Sequence, residues 1–169
     1  VIGPNDLINW PWMSERIDHE AELAIVIGRI CKDVPRERAT EVIFGYTIAN
    51  DITARDLQSR DGQWTRAKGF DTFCPIGPWI DTDFIPRNQE ISCTVNGELK
   101  QRATLNQMMF DVGEIIHFIT SVMTLLPGDV ILTGTPAGIG PIPEKGSVTC
   151  AISGLGELTN KLSAQIGRA

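Results

Sequence analysis

The sequence predicts a mostly β, α+β domain with a few short helices, and three observations carry that expectation. Short runs of β-branched and aromatic residues recur along the chain, bounded by Gly, Pro, Asn and Asp. Asn96-Gly97 stands between two such runs, a strong short hairpin signal. Only residues 112–123 hold helical periodicity over more than two turns.

Taken in order, residues 20–28 read as a strand closed by Gly28. Pro35 suits the start of a short helix over residues 36–44. Residues 46–49 form a β-rich run into Asn50-Asp51. Thr53 and Asp56 have capping-box spacing, which predicts a helical turn over residues 54–58. Residues 75–80, 91–95 and 98–102 are further strands, the last two joined at Asn96-Gly97. In residues 112–123, Ile115, Ile116, Ile119, Val122 and Met123 are spaced to make one buried face. Pro127-Gly128-Asp129 is a turn, residues 130–132 a strand, and residues 148–152 with Gly154-Leu155-Gly156 complete the β-rich end.

The 169 residues suffice for one domain with a sizeable core. A net charge of −6 without a basic run argues against nucleic acid and anionic membrane surfaces. No apolar stretch approaches the roughly 20 residues needed to cross a bilayer. Cys31, Cys74, Cys93 and Cys150 lack CxxC spacing, so free thiols of a cytoplasmic protein are expected rather than zinc or a disulfide scaffold.

Glu20-Ala21-Glu22 opens the first strand. Alternation points both carboxylates one way while Leu23, Ile25 and Ile27 pack on the other face. Such a pair is either a solvated acidic edge or part of a cation site. Asp51, at the end of the next β-rich run, is either a turn-capping residue or the third carboxylate of that site. Three carboxylates favour Mg²⁺, Mn²⁺ or Ca²⁺ over zinc, and leave about three octahedral positions open to water and substrate. Arg55 and Gln58 share one face of the turn after Asp51, as exposed side chains or as a clamp for a carboxylate and a carbonyl. Lys68 is either a surface lysine or a group that offsets the acidic cluster and holds a substrate anion. Thr133-Gly134-Thr135 follows an apolar strand, and its glycine allows close backbone approach to a ligand. His19 and His117 read as structural or surface residues. No G-x-S-x-G elbow supports a serine hydrolase.

Five stretches taken together resemble the fumarylacetoacetate hydrolase family: residues 20–28, 45–58, 64–78, 95–98 and 126–136. The wording of residues 64–78 is most similar to acylpyruvase and 2-hydroxyhepta-2,4-diene-1,7-dioate isomerase-like members. The resemblance implies a mixed β-roll, homodimers, and Mg²⁺ or a similar ion held by Glu20, Glu22 and Asp51. It implies Arg55, Gln58, Lys68 and Thr135 around the substrate, with Lys68 and Arg55 serving catalysis. Members hydrolyse C–C bonds, decarboxylate 2-oxo acids or isomerise 2-hydroxy-dienoic diacids. A 2-oxo acid presents a keto oxygen and a carboxylate oxygen to two open metal positions, and an enolate is common to all three reactions. The family's general base is a histidine paired with glutamate on an N-terminal lid. No such motif stands in this sequence, so residues 1–169 are expected to be a single catalytic domain lacking the lid. The alternative is a non-catalytic module that binds a dicarboxylate and metal.

Overall fold

Strands form where the β-branched runs lie. In the computed structural model, which describes residues 1–165 and Gly167, the chain opens with β1 (Leu7–Trp10), β2 (Ile17–His19) and β3 (Ala21–Ile27). A 3₁₀ turn over Arg36–Glu41 leads to β4 (Ile43–Asn50), β5 (Thr53–Ala54), α1 (Arg55–Asp61), α2 (Thr65–Lys68) and β6 (Ile76–Asp81). Then come β7 (Glu90–Val95), β8 (Glu98–Thr104), a 3₁₀ turn over Leu105–Gln107, α3 (Val112–Val122), β9 (Val130–Leu132), β10 (Gly140–Pro141), β11 (Ser147–Ile152) and β12 (Gly156–Gln165).

Three sheets result, ordered β1-β12-β11-β7-β8, β10-β2-β5 and β6-β4-β3-β9. β7 and β11 of the first lie against β3 and β4 of the third. Leu23, Ile25, Ile48, Ile91, Val148 and Ile152 belong to the shared core. All seven residues of β3 are buried, so both of its faces are covered. The antiparallel β3–β4 pair, with Ala21 opposite Asn50, continues as the β2–β5 pair, with Asp18 opposite Thr53. The chain therefore changes sheet at Glu20 in one strand and at Asp51-Ile52 in the other. Two carboxylates are brought together at that corner by one bent hairpin.

The Asn96-Gly97 hairpin forms as expected, with φ of 52° and 81° at its two turn residues. Other elements differ. The helix expected over residues 36–44 is a 3₁₀ turn that stops at Glu41, because Ile43 pairs with Ile27 and the Val42 carbonyl accepts from the Gly28 N–H. Sheet pairing at the β-branched end outcompetes continuation of the helix. The Thr53/Asp56 capping box does not form: Thr53 Oγ1 donates to the Asp51 carbonyl, and Asp56 accepts from Ser14 Oγ and the Glu15 N–H. α1 starts one residue later, at Arg55, without a side-chain cap. A true capping box, Asp111 with Glu114, starts α3 instead.

On α3 the buried residues are Ile116 and Thr120, whereas Val122 and Met123 are exposed. Val122 lies about 120° around the helix from Ile116 at ~100° per residue. Met123 sits beyond the last turn, in extended backbone. Sequence reading also missed the length of β12. Asn160 occupies an inward position there and breaks the apolar alternation, and its Nδ2 donates to the Gly3 and Asp6 carbonyls.

Candidate metal centre

Glu20 and Glu22 are 6% and 4% exposed, which excludes a solvated acidic edge. One carboxylate oxygen from each of Glu20, Glu22 and Asp51 lies within 4.8 Å of the other two. Backbone bonds hold the corner: the Glu20 N–H donates to Asn50 Oδ1 at 2.9 Å, and the Asp51 N–H donates to the Glu20 carbonyl at 2.9 Å.

Basic groups close over the cluster from α1 and α2. Lys68 Nζ donates to Glu20 Oε2 at 3.0 Å, to Asp51 Oδ2, and to Thr53 Oγ1 at 3.0 Å. Arg55 donates from one terminal nitrogen to Glu20 Oε1 and from the other to Gln58 Oε1, confirming that Arg55 and Gln58 share a face. Its Nε donates to Asp18 Oδ2 at 2.9 Å. Asp18 is fully buried and also bonded by Arg16 at 2.8 and 3.1 Å.

Glu22 differs from its neighbours, since no Lys or Arg among the described residues forms an ion pair with it. Its Oε2 accepts the Gly134 N–H. Burial, with Asp51 and Glu20 nearby, pushes the Glu22 carboxyl up to about 7, against the pull of Gly134 and Lys68. Burial also raises Asp51, with Lys68 opposing. For Lys68, burial works against the ammonium, but Asp51 and Glu20 outweigh it and the shift is upward. Among the described residues, three buried carboxylates (Asp18, Glu20 and Glu22) and the half-buried Asp51 meet three basic groups here, Arg16, Arg55 and Lys68. The donor set is all oxygen, close together and under-neutralised at Glu22. It fits a hard divalent cation.

The expected site residues thus fall into two groups. Glu20, Glu22, Asp51, Lys68, Arg55 and Gln58 converge. Thr135 lies on the loop that supplies Gly134, but its hydroxyl donates to the Ala21 carbonyl at 2.8 Å and accepts from Gln101 Nε2 at 2.8 Å. Neither histidine enters the cluster. His19 is buried with Nδ1 3.0 Å from Gln101 Oε1, and His117 Nδ1 donates to the Val34 carbonyl at 2.8 Å. Asp18, Asn50, Thr53 and Gln101 were missed. The Asp18-His19-Glu20 spacing offered a hint of the first, but nothing in the sequence marked Gln101, which arrives from the opposite sheet.

The family described as "Fumarylacetoacetate (FAA) hydrolase C-terminal" matches residues 1–163. The chain belongs to this family. It is 56% identical over 163 residues to Protein Rv2993c of Mycobacterium tuberculosis, covering 95% of this chain and 62% of that one. The crystal structure of 5-carboxymethyl-2-hydroxymuconate delta-isomerase from Mycobacterium smegmatis superposes with a TM-score of 0.96 at 53% identity, over 98% of this chain and 66% of that one. Fumarylpyruvate hydrolase from Pseudomonas aeruginosa, in complex with Mn²⁺ and pyruvate, matches with a TM-score of 0.92 at 33% identity, over 97% and 74%. The chain therefore spans just under two thirds of the length of the first two. The mostly β architecture expected from the sequence is that of the family.

Proposed function

We propose that this fumarylacetoacetate hydrolase family chain is the catalytic domain of a divalent-metal-dependent enzyme acting on 2-oxo acids. The reaction is C–C hydrolysis of acylpyruvates or diketo acids, decarboxylation, or isomerisation of 2-hydroxy-dienoic diacids. One observation carries this reading: an oxygen from each of three carboxylates within 4.8 Å, Glu20 and Glu22 buried and Asp51 half-buried, with no basic ion-pair partner for Glu22 among the described residues. Glu20, Glu22 and Asp51 would hold Mg²⁺ or Mn²⁺. When bound, such an ion polarises a 2-oxo acid's carbonyl and stabilises enolate charge. The Mn²⁺ and pyruvate of the Pseudomonas relative support that class of ligand.

Lys68 and Arg55 now balance charge on Glu20 and Asp51. With a cation taking over that task, both are positioned to bind the anionic oxygens of the substrate and the charge that develops on them. Gln58, already bonded to Arg55, orients the guanidinium and offers its amide N–H₂ to a carbonyl. Neither described histidine reaches the cluster, so hydrolysis in this reading draws its base from outside the described residues. The proposal also places the enzyme in the cytoplasm as a homodimer.

The test is Mn²⁺-dependent loss of ultraviolet absorbance from an acylpyruvate, repeated with oxaloacetate and a dienoic diacid, for the protein and for Glu22→Ala. Turnover abolished by that substitution supports the reading, and a protein that binds no divalent ion sinks it. The absence of a histidine from the cluster favours one second reading, a non-catalytic module for a dicarboxylate and metal. Binding of Mn²⁺ and pyruvate without turnover across the panel would select it.

A further inference from the structure

We propose that Gln101, on β8 of the five-stranded sheet, is a positioning residue for the metal centre of the other sheet. This rests on reading Glu20, Glu22 and Asp51 as metal ligands. Gln101 touches none of those carboxylates; it acts on the peptide between two of them.

The edge of β3 explains why such a residue is needed. β9 pairs with β3 only from Val26 to Ala24, and Thr133 then donates its N–H and hydroxyl to the Leu23 carbonyl. At Gly134, with φ of 99°, the chain turns away and gives its N–H to Glu22 instead. The N–H and carbonyl of Ala21, one residue further along the edge, are left without a strand. Buried backbone groups require partners. Two side chains provide them: the Ala21 N–H donates to Gln101 Oε1 at 3.1 Å, and the Ala21 carbonyl accepts from Thr135 Oγ1 at 2.8 Å. Gln101 Nε2 then donates to Thr135 Oγ1 at 2.8 Å, closing a ring around the residue between Glu20 and Glu22.

The amide is used to capacity. Oε1 also accepts from His19 Nδ1 at 3.0 Å, and Nε2 also donates to the Pro136 carbonyl at 2.8 Å. Two lone pairs and two N–H groups are all that a glutamine has. Only one amide orientation satisfies all four partners, and Gln101 itself is 1% exposed. The ring fixes the direction of the Thr135 hydroxyl proton, which is given to Ala21. It also ties the turn that presents the Gly134 N–H to the strand that presents Glu22. Groups one bond removed from metal ligands set ligand orientation, and their loss typically weakens metal binding by about 10–100-fold.

Calorimetric titration with Mn²⁺, without substrate, tests this on the purified protein and on Gln101→Met, which fills the same space without hydrogen bonds. Gln101→Asn, which keeps the amide but is one carbon too short to span Ala21 and Thr135, gives a milder second variant. Asn160→Leu is the control, because Asn160 is an equally buried amide whose Nδ2 donates to the Gly3 and Asp6 carbonyls, away from the carboxylate cluster. All three variants should lower the melting midpoint of the metal-free protein. Only the Gln101 variants should weaken Mn²⁺ binding, by about 10-fold or more. Folded Gln101 variants that bind Mn²⁺ within twofold of the parent, or an Asn160→Leu protein that loses affinity equally, would overturn the inference. A parent protein that binds no Mn²⁺ would instead overturn the metal reading beneath it.

Discussion

The two ends of the β3–β4 pair differ in kind. At the Glu20/Asp51 end charge is buried and dense, with Lys68 and Arg55 packed onto the carboxylates. At the Ile43 end lies a groove of about 910 Å³, bordered by Phe44, Tyr46, Phe84 and Ile85, whose nearby ion pair, Arg36 with Asp111, is more than half exposed on both sides. About 20 Å of strand separates them. The groove has volume without desolvated charge. The corner has desolvated charge. Only the second calls for a compensating partner, because taking carboxylates out of water is costly, whereas exposed ion pairs contribute little.

The largest effect that could break this comparison is at Glu22. Glu22→Ala should reduce Mn²⁺ affinity and turnover beyond the roughly 100-fold typical of groups behind the ligands. Phe44→Ala, at the groove, should leave both within about twofold. Comparable losses from the two would show that the groove belongs to the site.

Lys68→Met sharpens the comparison by exposing the balance within the corner. Removing the ammonium leaves Glu20 and Asp51 crowded, and the metal-free protein should lose about 3 kcal/mol in denaturant unfolding. Mn²⁺ should then raise the melting midpoint of Lys68→Met more than that of the parent, because the ion no longer competes with a lysine. An equal rise in both proteins would show that lysine and metal do not share the carboxylates.

A smaller effect is expected behind the ligands. Thr135→Val strips partners from the Ala21 carbonyl and the Gln101 amide, at about 1–3 kcal/mol in the same unfolding experiment. Thr135→Ser keeps the hydroxyl and should stay near the parent. The smallest effect is at the groove, where Arg36→Ala removes solvent-exposed pairs to Asp111 and Glu114. Its melting midpoint should be indistinguishable from the parent at physiological salt.

How much of this was legible depends on the range of the interaction. The Asn96-Gly97 hairpin, the strands at residues 91–95 and 130–132 and the helix from Val112 follow from local chemistry, and each forms. The helix over residues 36–44 and the Thr53 cap were also local readings. They fail because longer-range partners, Ile27 for Ile43 and Ser14 for Asp56, offer more than the local contact. The convergence of Glu20, Glu22 and Asp51 was readable because Glu20 and Glu22 flank the first residue of one strand and Asp51 follows the last residue of its neighbour.

The sequence by itself determined the mostly β class, the family resemblance and the residue types at the corner. Side-chain chemistry and alternation travel with the chain, so they survive any rearrangement of the sheets. Tertiary structure alone decided that Glu22 has no basic ion-pair partner among the described residues, that Asp18 anchors Arg55, that the Thr135 proton is given to Ala21, and that Gln101 closes the ring. Burial and hydrogen-bond geometry are properties of packed neighbours. Gln101 stands 80 residues from Ala21 in the chain and 3.1 Å from it in the fold.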